Sequence, residues 1–176
     1  MEEHLFWITS RAAGTAALML SSLGVAIGLT MSLRAIRGRG PDLRVTHEAL
    51  SLATLAALAV HALSLLGDEF IRFDVADIAI PFASSYKAPW MAMGIVGGWK
   101  MLLLGLSYYA RGRIGPQRWR KLHRWTALAW VLGLAHSLGT GTDAGLTWFL
   151  AAVGIVALPA GLLLLARHAP KVETAS

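Results

Sequence analysis

The chain has 176 residues, of which 56% are hydrophobic and 15% charged, with a formal net charge of +6. That balance is too apolar for a soluble domain of this size, and once the apolar runs are assigned to lipid no room is left for a soluble catalytic domain. The sequence contains no cysteine, which excludes disulfides, thiolate iron–sulfur ligation and the C-x-x-C-H attachment of c-type haem; a redox cofactor would have to be held by other side chains, histidine first.

Apolar runs occupy residues 12–33, 47–66, 89–110, 122–138 and 146–166. Each is close to the roughly 20 residues that cross a ~30 Å hydrocarbon core. The expected fold is therefore all-α, a polytopic membrane helical bundle of about five transmembrane helices forming a single domain over residues 1–176. The first run starts without the basic n-region and small-residue cleavage site of a signal peptide, so it is expected to be a retained span.

The charges between the runs alternate. Arg34, Arg37, Arg39 and Arg44 follow the first run; Arg111, Arg113, Arg118, Arg120 and Lys121 follow the third, with Arg124 just inside the fourth; Arg167 and Lys171 follow the fifth. The other side holds Arg11, Arg72 and Lys87 with Glu2, Glu3, Asp68, Glu69, Asp74, Asp77 and Asp143. The positive-inside rule then places the N-terminus outside and the C-terminus in the cytoplasm, in what we expect to be a bacterial cytoplasmic membrane. Membrane topology accounts for the basic excess, and no nucleic-acid partner is expected. The second and fourth runs are parallel. The stretch from Asp68 to Ala88 is too polar to cross, yet mixes Phe70, Ile71, Phe73, Ile78, Ile80 and Phe82 with its charges. It reads either as an interfacial piece that caps something or as a plain connecting loop.

An internal repeat links the two parallel runs. One reads Arg44-x-x-His47, then His61, then Asp68; the other reads Arg120-x-x-His123, then His136, then Asp143. His47 and His61 are 14 residues apart and His123 and His136 are 13 apart, so each helix carries histidines about 20 Å apart along its axis. In parallel helices His47 lies level with His123, and His61 with His136. Two facing imidazoles at one depth describe a bis-histidine b-type haem site, and two such levels describe a pair of haems. Zinc fits less well, because a structural site gathers four ligands and each level supplies two. A spacing of 14 returns to within ~40° of the same face, whereas 13 falls ~140° away. The fourth run is thus expected to be distorted, with Gly133 and Gly139–Gly141 as places for it, or to present its ligands from different flanks.

Haem propionates need cations, and Arg44, Arg120, Lys121 and Arg124 flank the inner pair while Arg11 enters the first run at the outer level. Lys100 stands mid-span and needs an anion or a water-filled cavity. Trp130 lies between the histidine levels, where a ring could fill the gap between cofactors, although bundle packing accounts for it without such a role. His4 and His168 fall outside the spans.

These residues resemble the ferric reductase-like transmembrane domain shared by ferric reductases, NADPH oxidases and the haem-bearing membrane subunit of bacterial methionine sulfoxide reductase systems. The likeness runs from about Thr9 to Phe149. It rests most on Trp119-Arg120-x-Leu122-His123, then His136 and Gly141-Thr142-Asp143, with the 14 and 13 spacings and Pro81-Phe82-Ala83-Ser84 before the third run. The resemblance implies that His47, His61, His123 and His136 are haem and iron ligands, with electrons passing from a cytoplasmic haem b to an outer one and on to an external acceptor. Well-known members have six spans where five are read here. Nothing after Arg167 reads as their flavin- and NADPH-binding domain. The chain is therefore expected to be the membrane component of an oxidoreductase system, taking electrons from a separate flavoprotein or membrane quinol and passing them to an acceptor the sequence does not name. Three other readings stay open: a proton-coupled transporter relaying through histidines, a structural anchor for a redox partner, and a one-haem version of the main reading.

Overall fold

The computed structural model describes residues 4–36 and 39–169. The charges at Glu2, Glu3, Arg37 and Lys171 lie outside the described residues. Among those described, eight helices follow in order: α1 (Leu5–Leu33), α2 (Gly40–Leu65), α3 (Val75–Ala79), α4 (Ala88–Leu106), α5 (Arg111–Ile114), α6 (Pro116–His123), α7 (Thr126–Thr140) and α8 (Thr147–His168). Helices α1, α2, α4 and α8 are long and apolar enough to cross a membrane, and the protein is a polytopic helical bundle, as its sequence leads one to expect.

The ends of the helices follow from local chemistry. Helix α1 stops where Arg34 turns left-handed, its N–H returning to Met31 and that of Ala35 to Thr30, which satisfies carbonyls the helix would otherwise orphan. Helix α2 begins with Pro41 in its first turn and Asp42 beside it, a residue without a needed N–H followed by an anion at the positive end of the helix dipole. The helices outrun the apolar stretches because polar residues join them: α1 starts at Leu5 rather than residue 12, and α2 at Gly40 rather than residue 47.

The fourth predicted span is a broken helix. Helix α6 ends at His123, Arg124 and Trp125 form a turn, and α7 resumes at Thr126. The backbone tightens there: Trp125 N–H reaches Leu122 and Ala127 N–H reaches Arg124, while the Thr126 hydroxyl donates to the His123 carbonyl at 2.7 Å. Three-residue hydrogen bonds turn the chain about 120° per residue instead of about 100°, which recovers part of the angular deficit of the 13-residue spacing. The expected distortion is real but misplaced. Gly133 lies within continuous helix, Gly139 receives the ring of Trp90, and Gly141 ends α7.

Helices α1 and α2 form one antiparallel hairpin, α4 and α7 a second, and α1 also packs on α7 and α8. The interior mixes small and polar side chains with a few large apolar ones. Ser22, fully buried, donates to the Leu18 carbonyl and accepts from the Trp130 indole at 2.9 Å, and Trp130 packs with Leu18, Phe149, Val153, Ala157 and Ala160. That is the packing role expected of it. Large apolar side chains point outward instead: Ile155, Leu158 and Leu165 of α8 are each at least two-thirds exposed. Such an apolar outer surface suits lipid, and small interior residues let the helices approach.

Candidate functional site

The two hairpins bring the four histidines together in two pairs. His47 faces His123 with ring centroids 6.0 Å apart, and His61 faces His136 at 6.3 Å; the ring planes are inclined at 89° and 71°. A metal–imidazole bond of about 2 Å plus the half-width of the ring puts each centroid about 3 Å from a shared ion. Two imidazoles on opposite sides of one ion therefore stand about 6 Å apart, as both pairs do.

Three of the rings are held in the same way. His47 Nδ1 lies 2.9 Å from the Gly24 carbonyl, His61 Nδ1 2.8 Å from that of Ser10, and His136 Nδ1 2.9 Å from that of Trp90. A carbonyl can only accept, so Nδ1 carries the proton and Nε2, on the far side of the ring, keeps its lone pair. That tautomer is the one a metal ligand needs, with its outer nitrogen anchored. Each carbonyl sits four residues before a glycine against which the ring rests. A Cβ would stand 3.2 Å from the His47 ring at Gly28, 2.9 Å from His61 at Gly14 and 2.5 Å from His136 at Gly94. Sequence reasoning passed over these glycines, although Gly14 and Gly28 carry the same 14-residue spacing as His61 and His47. His123 differs: its Nδ1 is buried without a hydrogen-bond partner, and its ring stacks on Trp119 at 4.9 Å and 23°.

The chain matches the family model described as ferric reductase like transmembrane component over residues 13–134. The chain belongs to the ferric reductase-like transmembrane family. No curated protein and no solved structure matches it. The matched stretch of this ferric reductase-like chain contains His47, His61 and His123 and stops two residues short of His136; the pairing with His61 is what connects the fourth histidine to the others. Among the described residues, no three of His, Cys, Asp or Glu converge as a multidentate metal site would need; each level offers two imidazoles.

The His61–His136 pair lines a cavity of about 400 Å3, together with Gly14, Leu58, Trp130 and Asp143. The segment after α2 closes over it. Ile71, Phe73 and Ile78 line the cavity, whereas Phe70, Ile80 and Phe82 point away and are more than half exposed. Asp74 and Asp77 cap α3 reciprocally, and the Trp99 indole donates to Ala79 at 2.9 Å. The capping alternative for residues 68–88 is therefore the one the geometry favours.

The basic side chains are placed less uniformly. Arg11 forms a two-pronged ion pair with Asp143, stacks over Trp7 and lines the cavity. Arg44, Arg120, Lys121 and Arg124 are exposed at the opposite end, near the His47–His123 level. Lys100 lies over the face of Trp125 at 5.9 Å and does not line the cavity, so it meets an aromatic ring rather than the anion or water-filled cavity expected of it. His168 is exposed and bonds only to its own helix at Leu164, and His4 is exposed. Asp143 is 4% exposed. Removing its partner leaves a buried charge, which costs about 3–5 kcal/mol when both partners are buried; the Arg11 side chain is 37% exposed, so screening reduces the expected loss to about 2 kcal/mol. Arg11→Met should lower the melting temperature in detergent, and adding Asp143→Asn should restore most of it.

Proposed function

We propose that the protein carries electrons across the membrane through two b-type haems, one held by His47 and His123 and the other by His61 and His136. The observation that carries this reading is the two facing imidazole pairs at 6.0 and 6.3 Å. It is supported by the Nδ1 anchoring of three of the rings, which leaves Nε2 as the ligand atom, and by membership of the ferric reductase-like family. Haem supplies one-electron chemistry at its iron. The chain's own residues do the rest. The carbonyls of Ser10, Gly24 and Trp90 fix ring tautomer and orientation; Gly14, Gly28 and Gly94 let the helices come close enough for that.

The excess of arginine at the His47–His123 end supports a cytoplasmic position for that level, with the N-terminus outside. We call the two levels inner and outer. Arg44, Arg120 and Arg124 are the cations available to propionates at the inner level. Arg11, held by Asp143, presents its remaining N–H groups at the outer one. Phe73, Ile71 and Ile78 shield the outer level from water. Electrons arrive at the inner level from a separate flavoprotein or membrane quinol and leave from the outer one to an acceptor outside. The test is reconstitution in lipid vesicles with dithionite trapped on one side and ferricyanide on the other. The parent chain should transfer electrons across, and His61→Ala should reduce the rate at least a hundredfold with the vesicles still sealed. Equal rates in protein and protein-free vesicles would refute the proposal.

A further inference from the structure

Three of the four paired histidines share one support, and the fourth departs from it at a single position. The acceptor carbonyls of α1 and α4, and the residues four places after them, recur 80 residues apart. At the outer level Ser10 and Gly14 correspond to Trp90 and Gly94; at the inner level Gly24 and Gly28 correspond to Leu104 and Tyr108. Leu104 thus offers the carbonyl that His123 faces, in a contact looser than the hydrogen bonds of the other three rings, and the position that is glycine three times is here tyrosine. A Cβ at Gly28 would stand 3.2 Å from the His47 ring; the matching place, in the turn after α4, carries the Tyr108 side chain where the other three supports leave a glycine's space. The His123 Nδ1 is buried without a hydrogen bond of normal geometry.

The ring is fixed by other means. Trp119 stacks on it almost in parallel, at 4.9 Å and 23°. The Trp119 indole is itself tied down, donating to the Ser107 hydroxyl at 3.1 Å while the Tyr108 ring packs edge-on against it at 5.8 Å. The first hairpin has Leu43 where the second has Trp119, so it cannot hold His47 this way.

We propose that Trp119 is the positioning residue of the inner ligand His123, holding by stacking a ring whose contact with its backbone carbonyl is looser than the hydrogen bonds of the other three. The proposal rests on the haem reading above. A hydrogen bond at Nδ1 makes imidazole a more basic ligand, and a more basic ligand favours ferric over ferrous iron. The inner level, with one ligand more loosely held at Nδ1, is therefore easier to reduce than its own pair would be with both rings fully bonded.

The test is a potentiometric titration of the purified full chain, with the ferric haems followed separately by electron paramagnetic resonance. Tyr108→Gly opens the approach to Leu104 and should lower the midpoint of one haem by about 59 mV, the equivalent of a tenfold change in ferric over ferrous binding, leaving the other unmoved. Trp119→Leu should broaden the ferric signal of that same haem and let added imidazole displace its ligand at roughly tenfold lower concentration. Trp119→Phe, which keeps the stack, should restore the parent signal. An unchanged midpoint in Tyr108→Gly overturns the proposal, and so does an unchanged signal in Trp119→Leu; if Trp119→Leu does not fold, the midpoint alone decides. A parent chain without haem would fail the underlying reading instead, and that is known before any variant is titrated.

Discussion

A His61→Ala chain is expected to hold one b-type haem where the parent holds two. The two levels are about 20 Å apart along α2, and the four rings form two separate facing pairs, so losing one imidazole should strip one level and spare the other. His136 keeps its bond to Trp90 in that variant but has no ligand opposite it, and a single imidazole does not complete six-coordinate low-spin iron. His47→Ala should remove the other haem, and the double variant both. Pyridine haemochrome content per chain reads each outcome. Retention of both haems in His61→Ala would show that the outer pair is not a ligand pair.

Gly94→Leu should empty the outer level without touching any histidine. A Cβ at residue 94 would stand 2.5 Å from the His136 ring, a separation that forces the ring or the helix to move, and overpacking of this kind costs about 1–3 kcal/mol. The ring is the easier of the two to displace, since α4 and α7 pack along their length whereas His136 is held on that side by one hydrogen bond to Trp90. Its Nε2 then no longer faces His61. The expected result is a folded chain with the inner haem alone. Gly98→Ala, four residues along the same helix and in open space, should keep both. Loss of haem from the two variants alike would show that α4 tolerates no added side chain, rather than that Gly94 cradles a ligand.

Much of this arrangement was legible in the sequence because membrane helices expose it. Residues such as His47 and His123 stand out against apolar runs, and the alternation of arginine-rich and acidic connections leads one to expect parallel helices for the two that carry them. What the sequence conceals is backbone chemistry. The carbonyls of Ser10, Gly24 and Trp90 leave no side-chain signature, and a glycine such as Gly94 looks like any other glycine in a lipid-facing run until the ring across from it is located. The break at Arg124–Trp125 is hidden for a similar reason, because neither residue is a helix breaker; the turn is stabilised by Thr126 returning its hydroxyl to His123. Arg11 was read as a cation for propionate, and its ion pair with Asp143 could be found only once α1 and the end of α7 were brought together.

The central claim is that the two histidine pairs hold haem. It is tested most directly by a reduced-minus-oxidised absorption spectrum and a pyridine haemochrome assay on the purified full chain, made with ample haem in the growth medium. The account predicts b-type bands and about two haems per chain. A folded, monodisperse protein with no haem would contradict it.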